Sequence, residues 1–178
     1  MNKGPLKIKV LAFGFLTTLS TLYLFFLIFR AYYFQFFKVA DESMTPTLVK
    51  NEPFIVNKVI YRNSIPKRGD VIAFRFPKDE SKVFVSRLIG FGGETVEIHG
   101  GQIIIDSVPY QRSNIYYLNK EPFGEVNQKI RIPINALYVL GDNSTISSDS
   151  RVWDFVPKAN MIGKVYIPIR MRSQLTSK

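Results

Sequence analysis

Residues Val10–Phe29 read VLAFGFLTTLSTLYLFFLIF, an uncharged apolar run, and Ser43-Met44-Thr45-Pro46-Thr47-Leu48 follows closely. About 20 apolar residues suffice for one helix to cross a hydrocarbon core of about 30 Å. The run therefore predicts a membrane-spanning anchor over residues 10–30. A cleaved secretory signal has a shorter apolar region with small residues at the cut. Here Arg30, Tyr32, Tyr33, Phe34, Phe36 and Phe37 follow instead, an amphipathic aromatic flank suited to the membrane interface. Lys3, Lys7 and Lys9 precede the span, so the positive-inside rule predicts a cytoplasmic tail over residues 1–9 and an extracytoplasmic domain over 31–178. A serine with nucleophilic potential is thereby set just outside a membrane surface.

Composition narrows the partners. The chain has 178 residues, and what lies beyond the anchor suits one compact domain. Fifteen Phe and nine Tyr provide ample material for a β-rich core. The formal charge of +10 favours anionic partners. Its Lys and Arg residues are scattered, with no dense run or aromatic-basic recognition motif, so nucleic acid is not expected and anionic lipid headgroups are the better counterpart. With no Cys and a single His, the sequence excludes disulfides and thiol catalysis and gives no pattern for a metal. His99 precedes Gly100-Gly101 and decorates a turn. No cofactor motif is present.

Beyond the anchor, short β-runs recur between Gly and Pro punctuation, and no amphipathic helix is evident. Strands are expected at Phe34–Ala40, Phe54–Val59, Val71–Phe76, Val83–Ile89, Thr95–Ile98, Gln102–Ile105, Ala136–Leu140 and Met161–Ile169. Gly100-Gly101 joins two of them as a hairpin. Residues 107–133 are polar, aromatic and less patterned, which predicts a small β insertion. The fold class is mostly β.

Chemistry needs companions for Ser43. A serine and a lysine form a nucleophile–base pair when burial disfavours the charged amine and leaves it neutral. The second informative block is Gly141-Asp142-Asn143, with Ser147, Asp149, Ser150 and Arg151 close behind. Alone, that block reads as a loop ordered by its own side chains.

Joined to the anchor and to Ser-Met-x-Pro-Thr-Leu, the order of elements resembles type I signal peptidases, membrane-anchored serine proteases that remove secretory signal peptides. The resemblance runs from the anchor to Arg170. Arg87-Leu88-Ile89-Gly90-Phe91-Gly92-Gly93-Glu94 is similar to the family's Arg-x-x-Gly-x-Pro-Gly-Asp block, and 141–157 to its last block. It implies an antiparallel β core, Ser43 as nucleophile, secretory preproteins as substrates, and site support from Arg87, Asp142, Asn143, Ser147, Asp149 and Arg151. Ser147 would orient the base, with Asp149 and Arg151 paired beneath it.

Two positions depart from that pattern. Ser86 stands where the family has its lysine general base, or histidine in a eukaryotic and archaeal branch. Asp41 stands where bacterial relatives have a small or hydroxylated residue lining the oxyanion hole. An ionised carboxylate there repels the oxyanion, whereas a protonated one donates to it. Gly92 for proline, Glu94 for aspartate and Asp154 for glycine alter turns. Lys82 shares a strand face with Ser86 but lies about 13 Å along it; Lys58, on another strand, is a second alternative base. A non-catalytic chaperone or assembly factor for exported proteins is the competing reading, and an engineered base-deficient variant a third.

Overall fold

The computed structural model describes residues 4–99, 101–110 and 129–166. It divides into two units, Met1–Gln35 and Phe36–Lys178.

The first unit is dominated by helix α1, Gly4–Tyr33. Within it, Ile8–Tyr33 is long and apolar enough to cross a membrane. From Ile8 to Phe29 its large apolar side chains are exposed on every side. Lipid is the medium that accepts such a surface. The threonines in the run leave no hydroxyl stranded. Thr17 and Thr18 donate to the Gly14 carbonyl at 2.9 and 2.8 Å, and Thr21 to the Thr17 carbonyl at 2.9 Å. Internal pairing of this kind is what a hydrocarbon surround demands. Near the C-terminal end Phe29 stacks on Tyr33, ring centroids 4.3 Å apart, and Tyr32 meets Tyr33 edge-on at 5.2 Å. The helix overruns the expected 10–30 at both ends, because backbone hydrogen bonding continues whatever the polarity of the flanking residues.

The strands are β1 (Phe34–Lys38), β2 (Pro53–Asn57), β3 (Val71–Phe76), β4 (Asp79–Phe91), β5 (Thr95–His99), β6 (Gln102–Ile105), β7 (Val108–Tyr110), β8 (Ile130–Arg131), β9 (Ala136–Leu140), β10 (Val156–Pro157) and β11 (Met161–Tyr166). Seven form one sheet in the order β1-β2-β11-β3-β4-β9-β10, antiparallel from β2 across to β10. Val71 to Phe74 and all of β9 are continuous apolar runs buried on both faces. Side chains alternate between those faces. Val71 and Ala73 pack with Val39, Met44, Leu48, Phe54, Val56 and Val165. Ile72 and Phe74 pack on the other side with Leu88, Leu137, Val139, Trp153 and Val156.

A second sheet has the order β7-β6-β5-β8. Its core, Val96, Ile103, Ile105 and Ile132, meets Ile89, Ala136, Tyr138 and Leu140 of the larger sheet. The β5–β6 hairpin pairs His99 with Gln102 and turns through Gly101 at φ +77°. Residues 111–128, the middle of the expected insertion, and 167–169, the end of the last expected strand, lie outside the described residues. The second sheet starts at Thr95, upstream of 107, and β7 and β8 are its edges. Among the described residues two one-turn α-helices, α2 (Ile60–Asn63) and α3 (Ser150–Trp153), and a 3-10 turn at Lys158–Asn160 interrupt the strands. They are too short to carry a helical period.

Polar anchors hold the turns. The Asp70 carboxylate accepts from Lys164 Nζ at 2.6 Å, Tyr61 hydroxyl at 2.9 Å and Lys67 N–H at 3.0 Å. Glu94 accepts the Phe91 N–H at 2.8 Å and pairs with Arg68 at 2.6 Å, a reach that suits glutamate. At Gly92 a Cβ would sit 2.0 Å from the Ile134 carbonyl oxygen, so the close backbone approach requires glycine there. Asp154 caps α3 at φ +76°, a conformation that costs a side chain of order 1 kcal/mol or more.

Two outcomes follow from these anchors. Asp154→Gly is expected to raise unfolding stability by about 1 kcal/mol in denaturant titrations. Burial alone pushes the Asp70 carboxyl up, but hydrogen bonds from Lys164, the Lys67 backbone and Tyr61 outweigh it and hold the group below its ordinary range. A depressed folded-state pKa adds stability above the unfolded value, about 4, and loses it as pH falls through the folded value. Asp70→Asn should therefore be less stable than wild type at neutral pH, with the difference shrinking below about pH 4.

Candidate active site

The loop between β1 and β2 carries Ser43. Its base is closed by backbone bonds of 2.9 Å from Val39 N–H to the Glu52 carbonyl and from Asn51 N–H to the Val39 carbonyl. Met44 and Leu48 are buried in the core under β3, and the Leu48 N–H donates to the Met44 carbonyl at 2.9 Å. These two apolar side chains fasten the loop to the sheet. Ser43, immediately before Met44, is left half-buried at the loop's rim. Its hydroxyl donates to Asp41 Oδ1 at 2.6 Å and its N–H to the same oxygen at 2.9 Å.

A clamp of charge ties this loop to the sheet. Arg87 on β4 donates through Nε to Asp142 Oδ1 at 2.7 Å, and its Nη2 pairs with Asp142 Oδ2. Its Nη1 donates to the Gly69 carbonyl at 2.8 Å and its Nη2 to Thr47 Oγ1 at 3.1 Å. Thr47 in turn donates to Asp142. Both charged side chains are buried, so each charge depends on the other.

The segment after β9 is knitted around a second buried pair. Asp149 joins Arg151 through Oδ1–Nε at 2.8 Å and Oδ2–Nη2 at 2.6 Å, and also accepts the Gly141 N–H at 2.9 Å. As N-cap of α3 it accepts the Arg151 N–H at 3.2 Å. Ser150 Oγ accepts the Val139 N–H at 3.0 Å. Burial pushes the nearby Tyr138 phenol up, with the Asp149 charge adding to the shift. A phenol so held stays protonated and is no base.

The two halves meet at Gly141. Asn143 N–H donates to the Ser43 carbonyl at 2.9 Å, and Asn143 Nδ2 to the Glu42 carbonyl at 3.3 Å. A Cβ on Gly141 would lie 2.0 Å from Ser147 Oγ and 2.7 Å from the Ser43 carbonyl oxygen. On β4, Arg87 pairs with Leu140. One further step of that antiparallel register sets Ser86, itself buried, beside Gly141. The Ser43 carbonyl and the Ser147 hydroxyl therefore border one glycine corner, next to the position that continued register gives Ser86. Lys82 is elsewhere, solvent-exposed and paired with Asp79 at 2.9 Å. Lys58 follows β2, three strands from β4 and so about 14 Å away. Among the described residues no cluster of His, Asp or Glu is arranged to hold a metal.

A family profile described as "Signal peptidase, peptidase S26" matches residues 12–170. The chain belongs to the S26 signal peptidase family. It is 35% identical to a signal peptidase I of Leptolyngbya laminosa, over 72% of this chain and 65% of that protein. It is also 35% identical to the probable signal peptidase I-1 of Synechocystis, over 70% of this chain and 65% of that protein. The chain thus spans slightly under two thirds of those two relatives. A signal peptidase I of Aquifex aeolicus is 29% identical over 86% of this chain and 80% of its own. The crystal structure of a signal peptidase I from Enterococcus faecalis V583 has 30% identity and a TM-score of 0.49, covering 58% of this chain and 98% of that one. With the family membership, α1 makes this a membrane-anchored member.

Sequence reasoning passed over Thr47, which bridges the loop to the clamp, and Gly141, whose missing Cβ leaves room for the Ser147 side chain and the Ser43 carbonyl. Both stand inside the motif blocks, so their position was the available signal. Arg87→Ala is expected to cost about 3 to 5 kcal/mol in equilibrium unfolding, because it strands Asp142. Gly141→Ala should keep the sheet, checked by circular dichroism, yet lower any Ser43-dependent activity by about 10² through displacement of Ser43 and Ser147.

Proposed function

We propose that this chain is a signal peptidase I-type serine endopeptidase that removes N-terminal signal peptides from exported preproteins. The observation that supports the reading is the meeting of the Ser43 carbonyl and the Ser147 side chain at Gly141, flanked by the buried Arg87–Asp142 and Asp149–Arg151 pairs. Ser43 is the nucleophile. It attacks the scissile carbonyl to give an acyl-enzyme that water resolves. Arg87, Asp142, Asn143, Asp149 and Arg151 act by position, and Ser147 lies where it can orient a proton acceptor.

The N-terminal tail is cytoplasmic and the β unit extracytoplasmic, by the placement of Lys3, Lys7 and Lys9. A preprotein's apolar segment shares the membrane with α1, and its small residues before the cut enter shallow pockets as an added strand. Anionic headgroups attract the basic surface.

Cleavage of a preprotein by the detergent-solubilised full chain tests the reading. Wild type should cleave slowly and Ser43→Ala not at all. Ser86→Lys should raise the rate by about 10² to 10⁴, because it restores a buried amine. A chain that binds preprotein with its fold intact, but neither cleaves nor gains cleavage from Ser86→Lys, is a chaperone-like binding protein instead.

A further inference from the structure

Ser86 cannot accept a proton as an amine does, yet Ser43 does not lack an acceptor. Asp41 Oδ1 stands 2.6 Å from the Ser43 hydroxyl and 2.9 Å from the Ser43 N–H. It is the one acceptor the hydroxyl has among the described residues. We propose that Asp41 is the general base of this site, taking the Ser43 proton in place of the lysine that position 86 lacks. The proposal rests on Ser43 being the nucleophile.

The contact originates in local sequence. The tripeptide Asp-Glu-Ser occurs twice, at 41–43 and at 79–81. At the second copy Ser81 makes the same two bonds to Asp79 Oδ1, at 2.6 Å from its hydroxyl and 3.2 Å from its N–H. Chain geometry alone therefore brings the carboxylate to the hydroxyl. The surroundings distinguish the copies. Asp79 is paired with Lys82 at 2.9 Å on a solvent-exposed face. Among the described residues no cation pairs with Asp41. Ser43, unlike Ser81, borders the Gly141 corner with Ser147.

The proton and electron movements balance within these groups. As Ser43 Oγ forms its bond to the scissile carbonyl carbon, its proton passes to Asp41 Oδ1 and the carbonyl π pair moves to oxygen. Once protonated, Oδ1 is a poor acceptor and releases the Ser43 N–H. That donor becomes free as negative charge develops on the substrate oxygen, which is where an oxyanion donor is needed. Collapse of the intermediate breaks the C–N bond, and the leaving nitrogen takes the proton from Asp41. Water then attacks the acyl-enzyme, giving its proton to Asp41, and Ser43 Oγ regains one as it leaves.

The alternative effect of the same contact has the opposite sign. A carboxylate fixed on the Ser43 N–H could simply block that donor, and its removal would then speed the reaction. The test uses the full chain in detergent, with preprotein cleavage and labelling by a fluorophosphonate probe as separate readouts. Asp41→Asn keeps the shape and a carbonyl acceptor but cannot take a proton as a carboxylate does. It should lower kcat and the labelling rate by about 10² or more, whereas Asp79→Asn in the second tripeptide leaves both unchanged. Adding Ser86→Lys to Asp41→Asn should restore activity, which a merely misfolded loop would not allow. Unchanged or faster cleavage by Asp41→Asn overturns the proposal and identifies Asp41 as a block. Persistent cleavage by Ser43→Ala instead removes the nucleophile assignment beneath it.

Discussion

The buried pair between Arg87 and Asp142 is the constraint on which the rest of the site depends. One guanidinium reaches the Asp142 carboxylate, the Gly69 carbonyl and Thr47. It therefore joins the turn before β3, the strand β4, the loop after β9 and the loop that carries Ser43. Arginine suits this role because its planar fork can satisfy several fixed acceptors at once. Burying two charges is expensive, and only dense hydrogen bonding offsets that expense. The pair is better understood as a device for registering four segments than as a source of net stability.

Around this clamp the architecture is complete where the chemistry is unusual. Met44 and Leu48 are sunk in the core, Asn143 holds the Ser43 carbonyl, and Asp149 holds Arg151 and the Gly141 backbone together. None of these contacts involves residue 86. The contacts that hold the Ser43 loop are thus separate from the side chain at position 86. The proton's path is then decided by what else lies within hydrogen-bond reach of Ser43.

The anchor obeys a different medium. Helix α1 exposes the large apolar side chains of Ile8–Phe29 and satisfies its threonine hydroxyls within its own backbone. The β unit solves the inverse problem. Its central strands β3 and β9 are apolar on both faces and need cover from both sides, supplied by the Ser43 loop, α3 and the second sheet.

Length and periodicity by themselves determined the apolar span, the mostly β character and the bounds of β3, β6 and β9, because each is a continuous signal over several residues. The Ser-Met-x-Pro-Thr-Leu and Gly-Asp-Asn blocks likewise pointed to the site, since side-chain identity at fixed spacing survives without coordinates. Strands β7, β8 and β10 and helices α2 and α3 were not legible, being two to four residues long and formed through contacts with distant chain. Only the tertiary structure decided that Lys82 and Lys58 stand away from Ser86, that Thr47 completes the clamp, and that Gly141 must lack a side chain. It also turned Asp41 from a residue facing an oxyanion into the hydrogen-bond acceptor of Ser43. Such facts depend on which strands lie side by side and where hydroxyl groups point, and register and rotamer are set by packing across the whole sheet rather than by any local run of residues.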